Sequence, residues 1–276
     1  MQLKNIIAGA IFILLCPMAI KAQNIGTEVF THDMLSISTF SPPGLMWMED
    51  SKGRRAGVNP SYQLDKYGIL EDKKGMLHEI PNCSPEWDNE GDITKNDQPN
   101  PRTYWLITTN DAQGQAYTVH IKGILNGIQV VKIADNNVDK NAPPIAKQPF
   151  SFLVTPDSMK TIKVSVNSGF SFVVTRLVGK DDLLDDVKSA CHQDLIDSKV
   201  CKLLEKKTEA IQDALEKGHK EEAGKLVRSF LCNLGALKGA GVNDQDDHDA
   251  IRGPALSILI ADAKALLQTL PNNDHH

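Results

Sequence analysis

The spacing of hydrophobic and polar positions changes once along this chain, near residue 178. Before that point the runs at 35–39, 104–108, 116–121, 129–133, 150–154, 161–166 and 170–177 alternate or are β-branched, which predicts strands. Turn-forming pieces separate them: 110–114, Asn126-Gly127, 135–141 and 167–169. Val119 and Ile121 on one side, and Ile128, Val130 and Ile133 on the other, flank Gly-Ile-Leu-Asn-Gly and predict a hairpin with a long turn. Repeated short strands without intervening helices predict an antiparallel, immunoglobulin-like β-sandwich over 23–178. Within it, 51–101 is rich in Gly, Pro, Asp, Asn and Lys. That composition predicts a long loop region with one or two short strands, the kind of segment in which binding surfaces sit.

Beyond residue 178 apolar residues recur at three- and four-residue steps. Leu183, Leu184, Val187 and Cys191 mark a first helix, and Val200, Leu203, Leu204, Ile211 and Leu215 a second that stops at Gly218. Ala223, Leu226, Val227, Phe230, Leu231 and Leu234 mark a third, ended by the glycines of 235–241. Ile251, Ala255, Leu259, Ala263, Leu266 and Leu270 mark a fourth, stopped by Pro271. The acidic run Asp244, Asp246, Asp247 and Asp249 falls where the fourth helix is expected to begin, where its charge would favour the positive end of the helix dipole. The expectation is α+β in separate domains: the sandwich, then a small helical bundle over 179–270 and a tail of 271–276.

The first 22 residues read as a cleavable signal peptide. Lys4 precedes an apolar stretch from 6 to 20, and Ala22 closes a plausible cleavage site before Gln23. Cys16 follows Leu15 and precedes Pro17, which argues against a lipid-anchored cysteine. Removing this segment takes two lysines and no acid from 30 basic and 35 acidic residues, making the net charge −7 in place of −5. Nucleic acid and anionic membranes, both bound mainly through basic patches, are thereby disfavoured as partners. No later segment is long and apolar enough to predict a membrane span. The chain is expected to be secreted or periplasmic.

Export makes the remaining cysteines, Cys83, Cys191, Cys201 and Cys232, disulfide candidates. Cys191 and Cys201 flank the helix junction at Asp197 and Ser198. Pairing of Cys232 with either of them is compatible with the spacing too. Zinc is disfavoured, because no CxxC-like pair exists and Cys191-His192 are adjacent residues that diverge on a helix.

Two resemblances rest on particular residues. Leu203-Leu204, Ala210, Leu215, Gly218, Ala223, Leu226, Phe230-Leu231 and Leu234, then Ala250 and the apolar set from 256 to 270, resemble a FIMAH domain. This helical module lies near the C-terminus of many exported bacterial proteins. The resemblance covers roughly 183–270 and implies fold and export, with no catalytic residue to carry over. The cysteine-bearing first helix and the Asp-rich turn depart from the family. Asp50, Gly53, Arg54, Arg55, Gly57 and Pro60, followed by Glu79, Ile80 and Pro81, resemble a D-x-x-G-R-R-x-G-x-x-P element of exported bacterial β-domains. Its glycines permit a sharp turn and its arginines offer forks for carboxylates. One reading has the arginines pin the turn to Glu79 or to the Asp-rich loop. The other has Arg54 or Arg55 hold a carboxylate-bearing ligand.

Catalytic patterns are missing where they were sought. His78-Glu79 opens like a zinc-protease motif, but Asn82 stands in place of the second histidine and Pro81 breaks the helix. Gly169-Phe170-Ser171-Phe172-Val173 lacks the last glycine of a nucleophile elbow. Asp88, Glu90 and Asp92 alternate as calcium ligands do, yet Ile93 replaces the loop glycine and Pro99 the bidentate glutamate. The expectation is no cofactor, with calcium the only metal worth weighing. Of Trp47, Trp87 and Trp105, core packing is expected of Trp105 and exposure of Trp87. The reading that follows is an exported, non-catalytic interaction or accessory protein. It would bind a protein or glycan at the cell surface or in the medium, with Arg54, Arg55 and Trp87 as binding candidates. The alternative is a hydrolase or enzyme inhibitor whose site is dispersed.

Overall fold

A computed structural model describes residues 28–29, 35–40, 44–61, 75–89, 103–109, 112, 114–135, 149–166, 171–240, 251 and 253–271. The expected signal peptide and the acidic run of 244–249 lie outside these. The described strands are β1 (Glu28–Val29), β2 (Leu35–Phe40), β3 (Gly44–Asp50), β4 (Arg55–Val58), β5 (Met76–His78), β6 (Cys83–Asn89), β7 (Thr103–Thr109), β8 (Ala116–Gly123), β9 (Gly127–Asp135), β10 (Phe150–Val154), β11 (Met159–Val166) and β12 (Ser171–Leu177). The helices are α1 (Asp182–His192), α2 (Ser198–Glu216), α3 (Lys220–Ala240) and α4 (Gly253–Gln268). The strands form a seven-stranded sheet, β1-β12-β11-β8-β3-β4-β5, and a five-stranded sheet, β10-β9-β2-β7-β6. Neighbouring strands pair antiparallel throughout. The fold is mixed α+β.

The seven strand runs read from the sequence are all strands. In β8 and β11 every second residue is buried, so Tyr117, Val119 and Ile121 share one apolar core with Ile162, Val164 and Val166. Leu35, Ile37, Val131, Ile133 and Phe152 of the five-stranded sheet belong to the same core. The expected hairpin between 117 and 133 does not form. β8 pairs with β3 and β11, whereas β9 pairs with β2 and β10, so Gly-Ile-Leu-Asn-Gly carries the chain from one sheet to the other. Gly123 explains the crossing. Its amide donates to the Ser158 carbonyl at 2.8 Å, and its carbonyl accepts from the Asp157 amide at 2.9 Å. A side chain there would strike the Thr155 carbonyl.

The region 51–101 holds more order than its composition predicts, namely β4, β5 and β6. Pro85 is tolerated because β6 ends the order of its sheet and pairs only with β7. Gly57, at φ 118°, lets β4 close on β3: a side chain would come within 2.7 Å of the Met46 carbonyl oxygen.

Among the helices, Asp197 caps α2, its carboxylate accepting from the Lys199 amide at 2.8 Å. Gly218, at φ 74°, follows the end of the helix, and the His219 amide reaches back to the Ala214 carbonyl at 2.8 Å. α3 runs through Gly235 and on to Ala240, past the expected stop. α4 begins at Gly253-Pro254 with no acid in its first turn, so the run of 244–249 ends before the helix starts. A disulfide joins Cys191 at the end of α1 to Cys201 in the first turn of α2, with Cα atoms 5.8 Å apart. Among the described residues, no helix is long and apolar enough to cross a membrane.

The helices also pack on the strands. Leu153 of β10 is buried in the helical core, and the half-buried Ile128 of β9 packs against that core.

Candidate functional site

Arg54 and Arg55 sit where β3 turns into β4. Gly53, at φ 76°, supplies the left-handed residue, and its amide donates to the Asp50 carbonyl at 3.0 Å. One oxygen of the Asp50 carboxylate accepts from the Lys52 and Arg54 amides at 2.8 and 3.0 Å. The other takes Arg54 Nε at 2.7 Å and a terminal Arg54 nitrogen at 2.6 Å. Burial of Asp50 by its own turn acts to raise its carboxyl. The hydrogen bonds from Arg54 and Lys52, and the charge of Arg54, outweigh that and hold it below its ordinary value.

Arg55 is fixed differently. Its amide donates to Glu79 Oε2 at 2.9 Å, and its guanidinium lies 3.5 Å from Glu79 Oε1. The pinning of the turn to Glu79 is therefore present, whereas Arg54 is held by Asp50, inside the turn. Both arginine side chains stay partly open, at 38% and 40% exposure. Their unused N–H groups leave two successive residues of one hairpin able to donate to a partner.

Trp87 lies in β6 of the five-stranded sheet, directly opposite Trp105 of β7 in register. Its side chain, like that of Trp105, lies outside what is described. Trp47 is buried on the seven-stranded sheet and stacks on His120 of β8, with ring centroids 5.0 Å apart and planes 16° apart. Burial lowers the affinity of His120 for a proton, and the charge of Glu49 only partly opposes this. His120 carried no motif and went unnoticed in the sequence.

The other candidates scatter. His78 ends β5, so the stretch that begins like a zinc-protease motif is strand and turn. Asp88 is in β6, and Glu90 and Asp92 lie outside the described residues. Cys83 and Cys232, the other disulfide candidates, are free thiols. Burial pushes the Cys83 thiol up to about 12, which keeps it a poor nucleophile.

A second charged constellation carries no motif in the sequence. Lys160 of β11 and Arg176 of β12 are in phase with the core residues Ile162, Val164 and Val174, and each is only 6% exposed. Both meet helix carboxylates. Lys160 Nζ lies 2.7 Å from Asp186 and 3.4 Å from Asp182, both on α1. Arg176 lies 2.8 Å from Asp262 of α4, donates to the carbonyls of Ser151 and Ile258, and stacks over the Phe152 ring at 4.2 Å. Burial acts to lower the Lys160 ammonium, but the neighbouring carboxyls of Asp186 and Asp182 outweigh it and hold the group above its ordinary value.

Comparison of the chain with family models, with curated proteins and with solved structures finds no match.

Proposed function

We propose that this chain is an exported, non-catalytic interaction or accessory protein whose β part recognises a carboxylate-bearing protein or glycan. The observation that carries the reading is the Asp50–Arg55 hairpin. Two adjacent arginines are each oriented by a carboxylate of their own, yet left partly open. The Arg54 fork, held by Asp50, is organised before a ligand arrives, so little of its side-chain freedom is lost when it binds. Export is supported by the Cys191–Cys201 disulfide, a bond that persists in oxidising compartments. Two antiparallel sheets over one apolar core support an immunoglobulin-like sandwich. The helices of 183–270 support an accessory module of the FIMAH kind.

The test compares the full chain with its Arg54→Gln/Arg55→Gln variant on acidic glycans and on crosslinked envelope and culture-medium fractions. The expected result is a stoichiometric acidic partner whose retention falls at least about tenfold in the variant, as loss of two charge-assisted bonds implies. Equal retention by both chains removes the hairpin as the binding surface.

A further inference from the structure

Four ionic side chains are buried where α1 and α4 meet the strands, and their formal charges can be arranged in only a few ways. Lys160 and Arg176 enter from β11 and β12, Asp186 from α1 and Asp262 from α4, with the partly exposed Asp182 of α1 as a third carboxylate. Asp186 and Asp262 are 2% and 3% exposed, and Asp262 lies near enough for its charge to bear on the Asp186 carboxyl. Two buried carboxyls that close are hard to keep charged together, and a proton on one of them removes the repulsion. The acceptors indicate which one. Arg176 occupies one oxygen of Asp262, and the other oxygen, Oδ2, is buried with no hydrogen-bond partner. Lys160 occupies Oδ1 of Asp186, so the second oxygen of Asp186 is left to carry the proton.

We propose that Asp186 is held as a neutral carboxylic acid that donates to the orphaned oxygen of Asp262, so that the junction between helices and strands contains a bound proton. The charges then close: Arg176 balances Asp262, Lys160 balances Asp182, and Asp186 bridges them as acceptor and donor. Burial pushes the Asp186 carboxyl well above its ordinary value of 3.8, and the charge and hydrogen bond of Asp262 push the same way against the opposing Lys160. A raised carboxyl means that the folded chain binds a proton the unfolded chain has released. This contribution to stability is complete in acid and is lost as the pH rises through the raised value. The junction is thus a latch that rising pH loosens.

Thermal unfolding of the full chain and its Asp186→Asn and Asp262→Asn variants tests this. Asparagine mimics the neutral acid, accepting from Lys160 and donating to Asp262. Near pH 6, Asp186→Asn is expected to unfold within about 3 °C of the parent, whereas Asp262→Asn, which strands Arg176, unfolds roughly 10 °C lower. The carbon-13 carboxyl signal that disappears in Asp186→Asn should report a protonated acid in the parent at that pH. An Asp186→Asn chain that loses as much as Asp262→Asn, or fails to fold, overturns the proposal. So does an ionised Asp186 signal.

Discussion

The hairpin and the helix–strand junction use the same chemistry, an arginine against an aspartate, in opposite surroundings. At the hairpin Arg54 meets Asp50 at 2.6 Å with its side chain 38% exposed. At the junction Arg176 meets Asp262 at 2.8 Å with both side chains 5% exposed. Distance scarcely separates them; water does. The hairpin pair keeps its arginine in water: Asp50 is buried, with the turn amides and Arg54 in place of its hydration, while Arg54 leaves donors to offer a partner. The buried pair has lost its hydration, so neither member can be removed without stranding the other. What the comparison teaches is a division of labour: the first pair shapes a surface, the second ties two parts of the chain together.

Breaking the buried pair is the largest test of that division. Arg176→Met removes the partner of Asp262, the donor to the Ser151 and Ile258 carbonyls, and the cation over Phe152. It should cost about 3–5 kcal/mol in denaturant unfolding. Adding Asp262→Leu should recover most of that, because the loss comes from an uncompensated charge rather than from a missing attraction. If the double variant is no better than the single one, the packing of the Arg176 stem outweighs its charge.

Asp50→Ala sharpens the comparison from the exposed side. It removes an acceptor for two backbone amides and the anchor of Arg54. The amides are only partly buried and can turn to water, so the expected loss is about 1–2 kcal/mol in the same measurement. Amide hydrogen exchange should quicken in the β3–β4 turn and stay unchanged at the junction. A loss rivalling that of Arg176→Met would mean that the hairpin is as structural as the seam.

The two sites also differ in how far they could be read beforehand. The hairpin is local: Asp50, Gly53, Arg54 and Arg55 stand within six residues, and the resembled motif offers Glu79, beside the Asp-rich loop, as a partner. The junction draws on β11, β12, α1 and α4, and no spacing predicts such a meeting. A clue was nonetheless present, since Lys160 and Arg176 fall on the apolar phase of their strands. Inward charges of that kind demand partners. The fold divides similarly. Strands with one covered face alternate and were legible. In β3, Leu45, Met46, Trp47 and Met48 are all buried, so period two is erased. α3 passes through Gly224, Gly235 and Gly239, each costing about 1 kcal/mol relative to alanine, because the apolar face carrying Val227, Phe230 and Leu234 sustains it.

The smallest effect is expected at Arg55, and its smallness matters for function. The Arg55 guanidinium lies 3.5 Å from Glu79, with both side chains at least 40% exposed, so their attraction is largely screened. The backbone amide of Arg55 makes the closer contact with Glu79, at 2.9 Å, and no side-chain replacement removes it. Arg55→Gln should therefore shift stability by no more than about 0.5 kcal/mol in denaturant unfolding, with little response to added salt. A guanidinium that contributes so little to folding is free to serve something else. Any loss of partner binding in this variant would then belong to recognition and not to unfolding. A destabilisation above about 1 kcal/mol would instead place Arg55 with Arg176, as a residue the fold needs.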